Sequence, residues 1–271
     1  MKKRPLKDLF HLIKRVLPET QELITFHPEK PVAEALSVMR ETNLSQVPVI
    51  AGREVLGVFS YRSFAAGMAK LPENELKPLV LPVEEFLEDL RFAQITDDLA
   101  SFLDEFDIKD AVLVGLENRL QGIVTTIDAL KYFYQVASPY VMLFEIELAI
   151  RELIRESVSD DELKECVGNS LRRQYENSGL SLPSCLEEMT LHDYAILLSF
   201  KNTWEKFRAA FGGNRNLIYA KLKPLPELRN VVFHFKREIT VEEYDLMREV
   251  RDWLLKRIRR VEGSKKSDEN A

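Results

Sequence analysis

The sequence predicts an α+β protein in which a front half that mixes strands and helices precedes an all-helical back half. Two observations lead to this prediction. A strand and helix pattern occurs twice between Ile24 and Tyr134, and strand signals stop after Ala137. The 271 residues, with 45% apolar and 30% charged side chains, suffice for two domains of ordinary size that each bury a core.

The start of the chain is basic and has one apolar face at helical spacing. The apolar residues of that face are Leu6, Leu9, Phe10, Ile13 and Leu17. We predict a short amphipathic helix over residues 1–20 that docks on the protein's own core, because charges interrupt the apolar positions that a signal peptide would need. No apolar run is long enough to cross a bilayer, so no membrane partner is expected.

Cysteine and histidine are scarce. The two cysteines, Cys166 and Cys185, form no C-x-x-C motif, and there are four histidines. We therefore expect no metal site and no disulfide framework, and this use of cysteine fits a cytoplasmic location. The net charge of −6 gives no overall attraction to nucleic acid, but residues 220–260 carry 11 basic and 7 acidic side chains. That excess indicates either a solvated helix face or the end at which a polyanion binds.

The front half contains two copies of one supersecondary unit. The first copy has strands at 24–26, 47–50 and 55–59, with helices at 32–40 and from Tyr61 onward. The second has strands at 92–95, 111–114 and 120–124, with helices at 96–106, capped by Thr96, and from Thr126 onward. Gly57 and Gly122 are 65 residues apart, and we expect the two copies to bury each other's apolar faces.

Each copy ends in a strand that leads through a hydroxyl residue into a helix. The second corner reads Gly122-Ile123-Val124-Thr125-Thr126-Ile127-Asp128. The N–H groups and the dipole of the helix suit a phosphate, Thr125 can donate its hydroxyl, and Asp128 can accept two hydrogen bonds from a ribose diol. Plain helix capping by Thr125 and Asp128 explains the same residues.

Residues 24–134 resemble a tandem pair of CBS domains, known as a Bateman module. The residues that carry the resemblance are Ile24-Thr25-Phe26-x-Pro28, Ala35, Met39, Ser45-Gln46-Val47-Pro48-Val49, Gly57-Val58-Phe59-Ser60 and Gly122 to Asp128. The resemblance implies domains at 21–75 and 80–137 that bind adenine nucleotides or S-adenosylmethionine in clefts between them. We expect AMP or ATP as a regulatory ligand held by Thr125 and Asp128.

The first copy departs from the family pattern. Ser60 keeps the hydroxyl, but Ser63 stands where the ribose-binding Asp should be, and the neighbouring Arg62 could meet a phosphate instead. We therefore expect one competent site and one altered or empty site. The acidic stretch at Glu84, Glu85, Glu88 and Asp89 disfavours a highly charged ligand, which favours AMP or a nucleoside-like ligand over ATP without magnesium.

The back half, residues 138–263, is predicted to be a helical bundle. A helix is expected to start at Ser138-Pro139, and capping boxes at Ser159-x-x-Glu162 and Thr240-x-x-Glu243 predict the starts of two more. Further helices are predicted at 190–211 and from Pro226 to Lys236. Residues 264–271 are polar and predict a disordered tail.

The fourth of these helices carries an arginine, an asparagine and a histidine in the pattern Arg229-Asn230-x-x-x-His234. Asn230 and His234 share a face, and the long side chain of Arg229 can swing toward it. Imidazole moves protons near neutral pH, and guanidinium neutralises charge on phosphorus oxygens. A surface arginine beside an ordinary helix histidine explains the pattern equally well.

Residues 138–261 resemble a HEPN domain. The resemblance rests on Glu147-x-x-x-Arg151, on Trp204 to Phe211, and on Leu228-Arg229-Asn230-x-x-x-His234-Phe235 with Thr240-Val241-Glu242-Glu243. It implies a dimeric, metal-independent endoribonuclease in which the RNA's own 2′-hydroxyl attacks and Arg229 and His234 act with support from Asn230. Glu147 and Arg151 would brace the site, although an ordinary ion pair explains them too.

Together these patterns predict a homodimeric ribonuclease that an adenine nucleotide regulates, with RNA as substrate. One alternative is a non-catalytic nucleotide sensor whose helical domain dimerises or binds a partner. Another is a domain that binds RNA or nucleotide through Arg229 without cleaving it.

Overall fold

The computed structural model describes residues 11–17, 23–71, 77–116 and 119–269. The chain divides between Tyr134 and Gln135 into two compact units, an α+β unit and a helical unit. No helix among the described residues combines the length and apolar character that a bilayer span requires.

The two predicted repeats form the N-terminal unit. The first contains α1 (Val32–Thr42), β1 (Gln46–Ala51), β2 (Glu54–Ser60) and α2 (Tyr61–Met68). The predicted strand at 24–26 is reduced to a single parallel bridge between Phe26 and Val49. After β3 (Leu87–Glu88), the second contains β4 (Phe92–Gln94), α3 (Leu103–Lys109), β5 (Ala111–Leu116), β6 (Arg119–Thr125) and the start of α4 (Thr126–Arg155).

The two hairpins have the same register. Gln46 lies opposite Ser60 in the first, and Ala111 lies opposite Thr125 in the second, each pair 65 residues from its counterpart. Both ladders shift after the residue opposite the hairpin glycine, at Val49 and Val114. The prediction of two equivalent units is confirmed, although Asp98 rather than Thr96 caps the helical turn that precedes α3.

The chain before each repeat is hydrogen bonded to the other repeat. The Ile13 N–H donates to the Asp97 carbonyl at 2.9 Å, and the 3-10 turn Ile13–Arg15 follows, so the part of the predicted N-terminal helix that is described is not α-helical. Ile13 is fully buried, as its place in the apolar face predicts, while Leu6, Leu9 and Phe10 lie outside the described residues.

The segment between the repeats covers the first repeat in the same way. The Val83 N–H donates to the Lys30 carbonyl at 2.9 Å, and Val83 and Phe86 join the core of the first repeat. β3 then pairs with β2, with Glu88 opposite Val58. Gly57 permits this approach, because its φ is +156° and a Cβ there would lie 3.1 Å from the Glu88 carbonyl oxygen.

The helix α4 runs through the position where a new helix was predicted. Ser138-Pro139 does not start a helix, because α4 continues from Thr126 to Arg155 with Pro139 inside it. A proline cannot donate to the carbonyl four residues earlier, which is that of Gln135. The hydroxyl of Ser138 donates to this carbonyl at 3.3 Å, so the acceptor that Pro139 leaves unpaired is satisfied within the helix.

Besides α4, the described residues of the helical unit form six α-helices. They are α5 (Asp160–Ser178), α6 (Leu191–Ser199), α7 (Trp204–Phe211), α8 (Arg215–Leu222), α9 (Leu225–Phe233) and α10 (Val241–Glu269). The helix predicted at 190–211 is in fact two, and Thr203, buried between them, donates to the Leu197 and Phe200 carbonyls at 3.3 and 3.4 Å. The helix α8 was missed, and the predicted tail is wrong up to Glu269, where α10 ends.

The hydrogen bonds of both predicted capping boxes are present in the helical unit. Ser159 and Glu162 close a reciprocal box at the start of α5. At the start of α10, the Thr240 N–H donates to Glu243 at 3.0 Å, and the Glu243 N–H donates to the Thr240 hydroxyl at 3.3 Å. Two hydrogen bonds from Arg237, at 2.5 and 2.6 Å, lower the pKa of Glu243 from 4.5 to about 2.

Replacing Glu243 by Gln is expected to lower the free energy of unfolding by about 1 kcal/mol at pH 7, because the bidentate ion pair with Arg237 loses its charge. A depressed pKa in the folded state stabilises the fold above pH 4.5, and this contribution is lost as the pH falls toward 2. Urea unfolding of wild type and variant should therefore differ at pH 7 and converge at low pH. The exposed Glu249 on the same helix is the control, and equal behaviour of Glu249→Gln and Glu243→Gln would contradict the prediction.

Candidate functional site

The two repeats place equivalent strand-to-helix corners at Ser60 and Thr125. In the second corner, the Thr125 N–H and hydroxyl donate to Asp128 Oδ2 at 3.0 and 2.6 Å, and the Asp128 N–H donates to the Thr125 hydroxyl at 3.3 Å. Both residues are partly exposed. In the part of the chain that is described, Oδ2 makes the carboxylate's hydrogen bonds, which leaves Oδ1 as an acceptor for a ligand hydroxyl.

The residue that follows Thr125 anchors this corner. The Thr126 N–H donates to the Asp110 carbonyl at 2.9 Å, and its hydroxyl donates to the Phe106 carbonyl at 2.9 Å. Asp110 ends α3 with a left-handed φ of 61°. These bonds tie the start of α4 to the end of α3, so the donors and acceptors of the corner are held in place before a ligand arrives.

The first corner has the same hydrogen-bond pattern but is buried. The Ser60 N–H donates to the Ser63 hydroxyl and the Ser63 N–H donates to the Ser60 hydroxyl, each at 2.9 Å. Ser60 is 2% exposed, and its hydroxyl donates at 2.5 Å to Oε1 of Glu88 on β3. The carboxylate at the first corner therefore comes from β3, a separate segment of the chain. At the second corner the carboxylate is that of Asp128, which belongs to the helix that begins there.

Arg62 is engaged within the protein. It donates to Glu88 Oε2 at 2.7 Å and to the carbonyls of Ile108 and Lys109 at 2.8 and 3.0 Å, and it approaches Asp110 Oδ2 at 3.5 Å. Lys109 Nζ lies 3.8 Å from the same Glu88 oxygen. Of the predicted nucleotide-binding residues, Ser60 and Arg62 are thus brought together around Glu88.

A cavity of about 640 Å³ opens beside α2. Its polar and charged lining residues are Arg62, Ser63, Lys70, Glu85, Glu88 and Lys109. This volume lies within the range of small-molecule sites, which span roughly 300 to 1,000 Å³. The cavity adjoins the first corner.

The Arg–His motif lies at the end of α9. The helix was predicted to continue to Lys236 but ends at Phe233, so His234 is the C-cap residue, and its N–H donates to the Asn230 carbonyl at 3.2 Å. Arg229 and His234 are exposed, and Asn230 is partly buried. The guanidinium of Arg229 stacks on the Phe233 ring at 5.0 Å, and among the described residues no contact joins it to His234.

The predicted supporting pair forms a different contact. Arg151 is paired with Glu147 and donates through Nε to the Tyr194 hydroxyl at 2.8 Å, and Tyr194 in turn donates to the Leu186 carbonyl at 2.5 Å. Burial lowers the pKa of Arg151, but the Tyr194 hydrogen bond and the Glu147 charge raise it by more. Tyr194 belongs to α6, so the contacts of Arg151 join α4 to α6, while Tyr140 of α4 donates to the Val232 carbonyl of α9 at 3.2 Å.

Several basic side chains of residues 220–260 are paired with other groups of the same fold. Arg251 pairs with Glu145, Arg248 lies 2.8 Å from Asp245, and Arg257 donates to the Ala209 and Ala210 carbonyls at 2.7 and 2.6 Å. Burial lowers the pKa of Arg257. Fewer basic side chains of this segment are therefore available to bind a polyanion than its net charge indicates.

Comparison with known families identifies the N-terminal region. The sequence model of the family described as "CBS domain" matches residues 13–70. The N-terminal region contains a CBS domain. The second repeat lies beyond that match and shares the first repeat's hairpin register, and the C-terminal unit is helical.

Solved CBS-domain structures are similar to slightly less than half of the chain. A putative signal-transduction protein with CBS domains from Burkholderia ambifaria MC40-6 is 17% identical, has a TM-score of 0.40, and is matched over 45% of this chain and 93% of that one. CBSX2 in complex with AMP is 20% identical, with a TM-score of 0.41 over 46% and 98%. The CBS domain of a bacterial CNNM/CorC family Mg²⁺ transporter in complex with ATP is 20% identical, with a TM-score of 0.37 over 45% and 85%. All three TM-scores are below 0.5, so the match to residues 13–70 is what identifies the domain.

Sequence reasoning missed Glu88 as a member of the CBS-domain corner. The acidic stretch from Glu84 to Asp89 was interpreted through its overall charge, which disfavours an anionic ligand. The structure shows that Glu88 contacts Ser60 and Arg62 individually. Only the pairing of β3 with β2 reveals this, because 28 residues separate Glu88 from Ser60 in the sequence.

Proposed function

We propose that the N-terminal unit is an adenine-nucleotide sensor that binds AMP or ATP at the corner formed by Thr125 and Asp128. The partly exposed Asp128 carboxylate, held by Thr125 through Oδ2, carries this proposal. A carboxylate positioned in this way can accept hydrogen bonds from both hydroxyls of a ribose, while the start of α4 favours a phosphate. Two of the similar structures contain AMP and ATP, the ligand class proposed, but the proposal rests on the residues of this chain.

Replacing Asp128 by Ala is expected to weaken AMP or ATP binding roughly 10- to 100-fold, because hydrogen bonds from the ribose to a charged acceptor are lost. Isothermal titration calorimetry of the full-length protein measures the change. Ser63→Ala is the matched control, since Ser63 is the third residue of the equivalent helix and its loss costs a similar capping bond. Unchanged affinity in Asp128→Ala, or an equal loss in Ser63→Ala, would contradict the proposal.

We further propose that the C-terminal unit is a HEPN-type, metal-independent endoribonuclease that the nucleotide sensor regulates. The exposure of Arg229 on α9 and of His234 at its C-cap supports this, because an RNA phosphodiester must reach both side chains. The helix α4 begins at the proposed nucleotide corner and continues into the helical unit, which gives ligand binding a covalent path to that unit.

A homodimer is part of this proposal. The stacking of Arg229 on Phe233 leaves each chain without an assembled Arg229–His234 pair, so a second copy would complete the constellation. Phe233 and Phe235 beside the motif are 43% and 78% exposed, and both rings adjoin Tyr140. An exposed aromatic patch next to a charged motif suits contact with the same patch of another copy.

Purified full-length protein is expected to cleave single-stranded RNA in EDTA and to leave a cyclic phosphate and a 5′-hydroxyl. His234→Ala should reduce the rate by about 100-fold or more, because an imidazole acting as a general acid or base contributes at least that much. His192→Ala is the control, since His192 is an exposed histidine of the same unit. Addition of AMP or ATP should change the rate, and Asp128→Ala should remove that change.

Absence of cleavage under all conditions, or equal rates in wild type and His234→Ala, would contradict the nuclease proposal. Nucleotide binding without cleavage would then favour the non-catalytic sensor whose helical unit dimerises or binds a partner. Salt-dependent RNA binding that persists in His234→Ala would favour an RNA-binding role through Arg229.

A further inference from the structure

The two strand-to-helix corners of the N-terminal unit differ by one charged group. In both corners the hydroxyl residue at the end of the strand and the third residue of the helix cap each other. The second corner has Asp128 at that third position, and the first has Ser63. Glu88 of β3 supplies the missing carboxylate, and Ser60 donates its hydroxyl to it at 2.5 Å.

The groups around Glu88 are those that proteins use to bind phosphate. Arg62 donates to one carboxylate oxygen at 2.7 Å, Lys109 lies 3.8 Å from the same oxygen, and Ser60 holds the other. A guanidinium, an ammonium and a hydroxyl that converge on one anion can bind a phosphate oxygen as readily as a carboxylate. The Arg62 and Lys109 side chains are each 42% exposed, but the position between them and Ser60 is held by the Glu88 side chain, which is 12% exposed. A ligand can take that position only by displacing Glu88.

The cavity beside α2 gives a ligand room next to these donors. It has a volume of about 640 Å³, and Arg62, Ser63, Glu88 and Lys109 form part of its wall. Lys70 contributes a further cation, and Glu85 is the other carboxylate of the lining. Removal of the Glu88 carboxylate would leave three cations and one acidic group facing the cavity, a balance that favours an anionic ligand.

We propose that the Glu88 carboxylate fills the place in this cavity where a nucleotide phosphate would bind, and so keeps the first corner closed to nucleotide. The chain therefore binds one nucleotide, at Thr125 and Asp128, and loss of the Glu88 carboxylate creates a second site for a ligand of the same class. The inference rests on the proposed nucleotide-sensing function and deepens it, since it states why two equivalent corners give one site. Ser60 and Arg62 then hold Glu88 in the wild type and hold phosphate when Glu88 is absent.

The test is the number of AMP molecules bound per full-length chain, measured by equilibrium dialysis and calorimetry. Wild type is expected to bind one and Glu88→Ala two. Glu85→Ala, which removes the other carboxylate of the same cavity, should still bind one. The double variant Glu88→Ala/Asp128→Ala should retain one AMP site. Adding Arg62→Ala to this double variant should weaken AMP binding at that site at least 10-fold.

Two sites in the wild type, or a folded Glu88→Ala protein that binds no more AMP per chain than the wild type, would overturn the inference. Failure of the Thr125–Asp128 proposal is distinguishable, because the wild type would then bind no AMP while Glu88→Ala bound one. If Glu88→Ala does not fold, Glu88→Gln keeps the side-chain volume and removes the charge. It should then show a second site of lower affinity, and its failure to do so would also overturn the inference.

Discussion

The N-terminal unit depends on crossed hydrogen bonding between its two repeats. The chain before the first repeat is bonded to the second at Asp97, and the chain between the repeats is bonded to the first at Lys30. Each repeat is therefore hydrogen bonded to residues that lie outside it. This arrangement also carries β3 to the edge of β2 and so delivers Glu88 to the first corner, which makes the chemistry of that corner a consequence of how the repeats are connected.

One local motif serves two purposes in the repeats. A reciprocal capping box begins α2, and the same pattern of bonds begins α4. At the first corner the capping residues are buried and a neighbouring carboxylate occupies the cationic groups, while at the second the acidic capping residue is partly exposed. Arg62 is 42% exposed and Glu88 12%, so their charge-assisted hydrogen bond of 2.7 Å lies at the surface. The corners therefore differ in which segment supplies the carboxylate.

In the helical unit, buried polar contacts join α4, α5 and α6, whereas the Arg229–His234 motif is exposed. Asp193 is 1% exposed and accepts hydrogen bonds from Thr190 and, at 2.9 Å, from the Tyr175 hydroxyl, while Arg151 joins α4 to Tyr194. These buried polar contacts fix the packing of α4, α5 and α6. The Arg229–His234 motif lies instead at the end of a short helix, where Phe235 takes a left-handed φ of 52°. At this helix end the imidazole of His234 is exposed.

Local patterns in the sequence determined the two repeats, their hairpins and most of the helix caps, because these features depend on residues within a few positions of one another. The boxes at Ser159 and Thr240 are examples, since their hydrogen bonds join residues three apart. Tertiary structure alone decided that Glu88 contacts Ser60 and Arg62, and that Arg151 contacts Tyr194. It also decided that α4 continues through Pro139, where a serine hydroxyl replaces the missing donor. Each of these outcomes depends on which distant segments pack together, and that is set by the burial of whole elements rather than by the spacing of neighbouring residues.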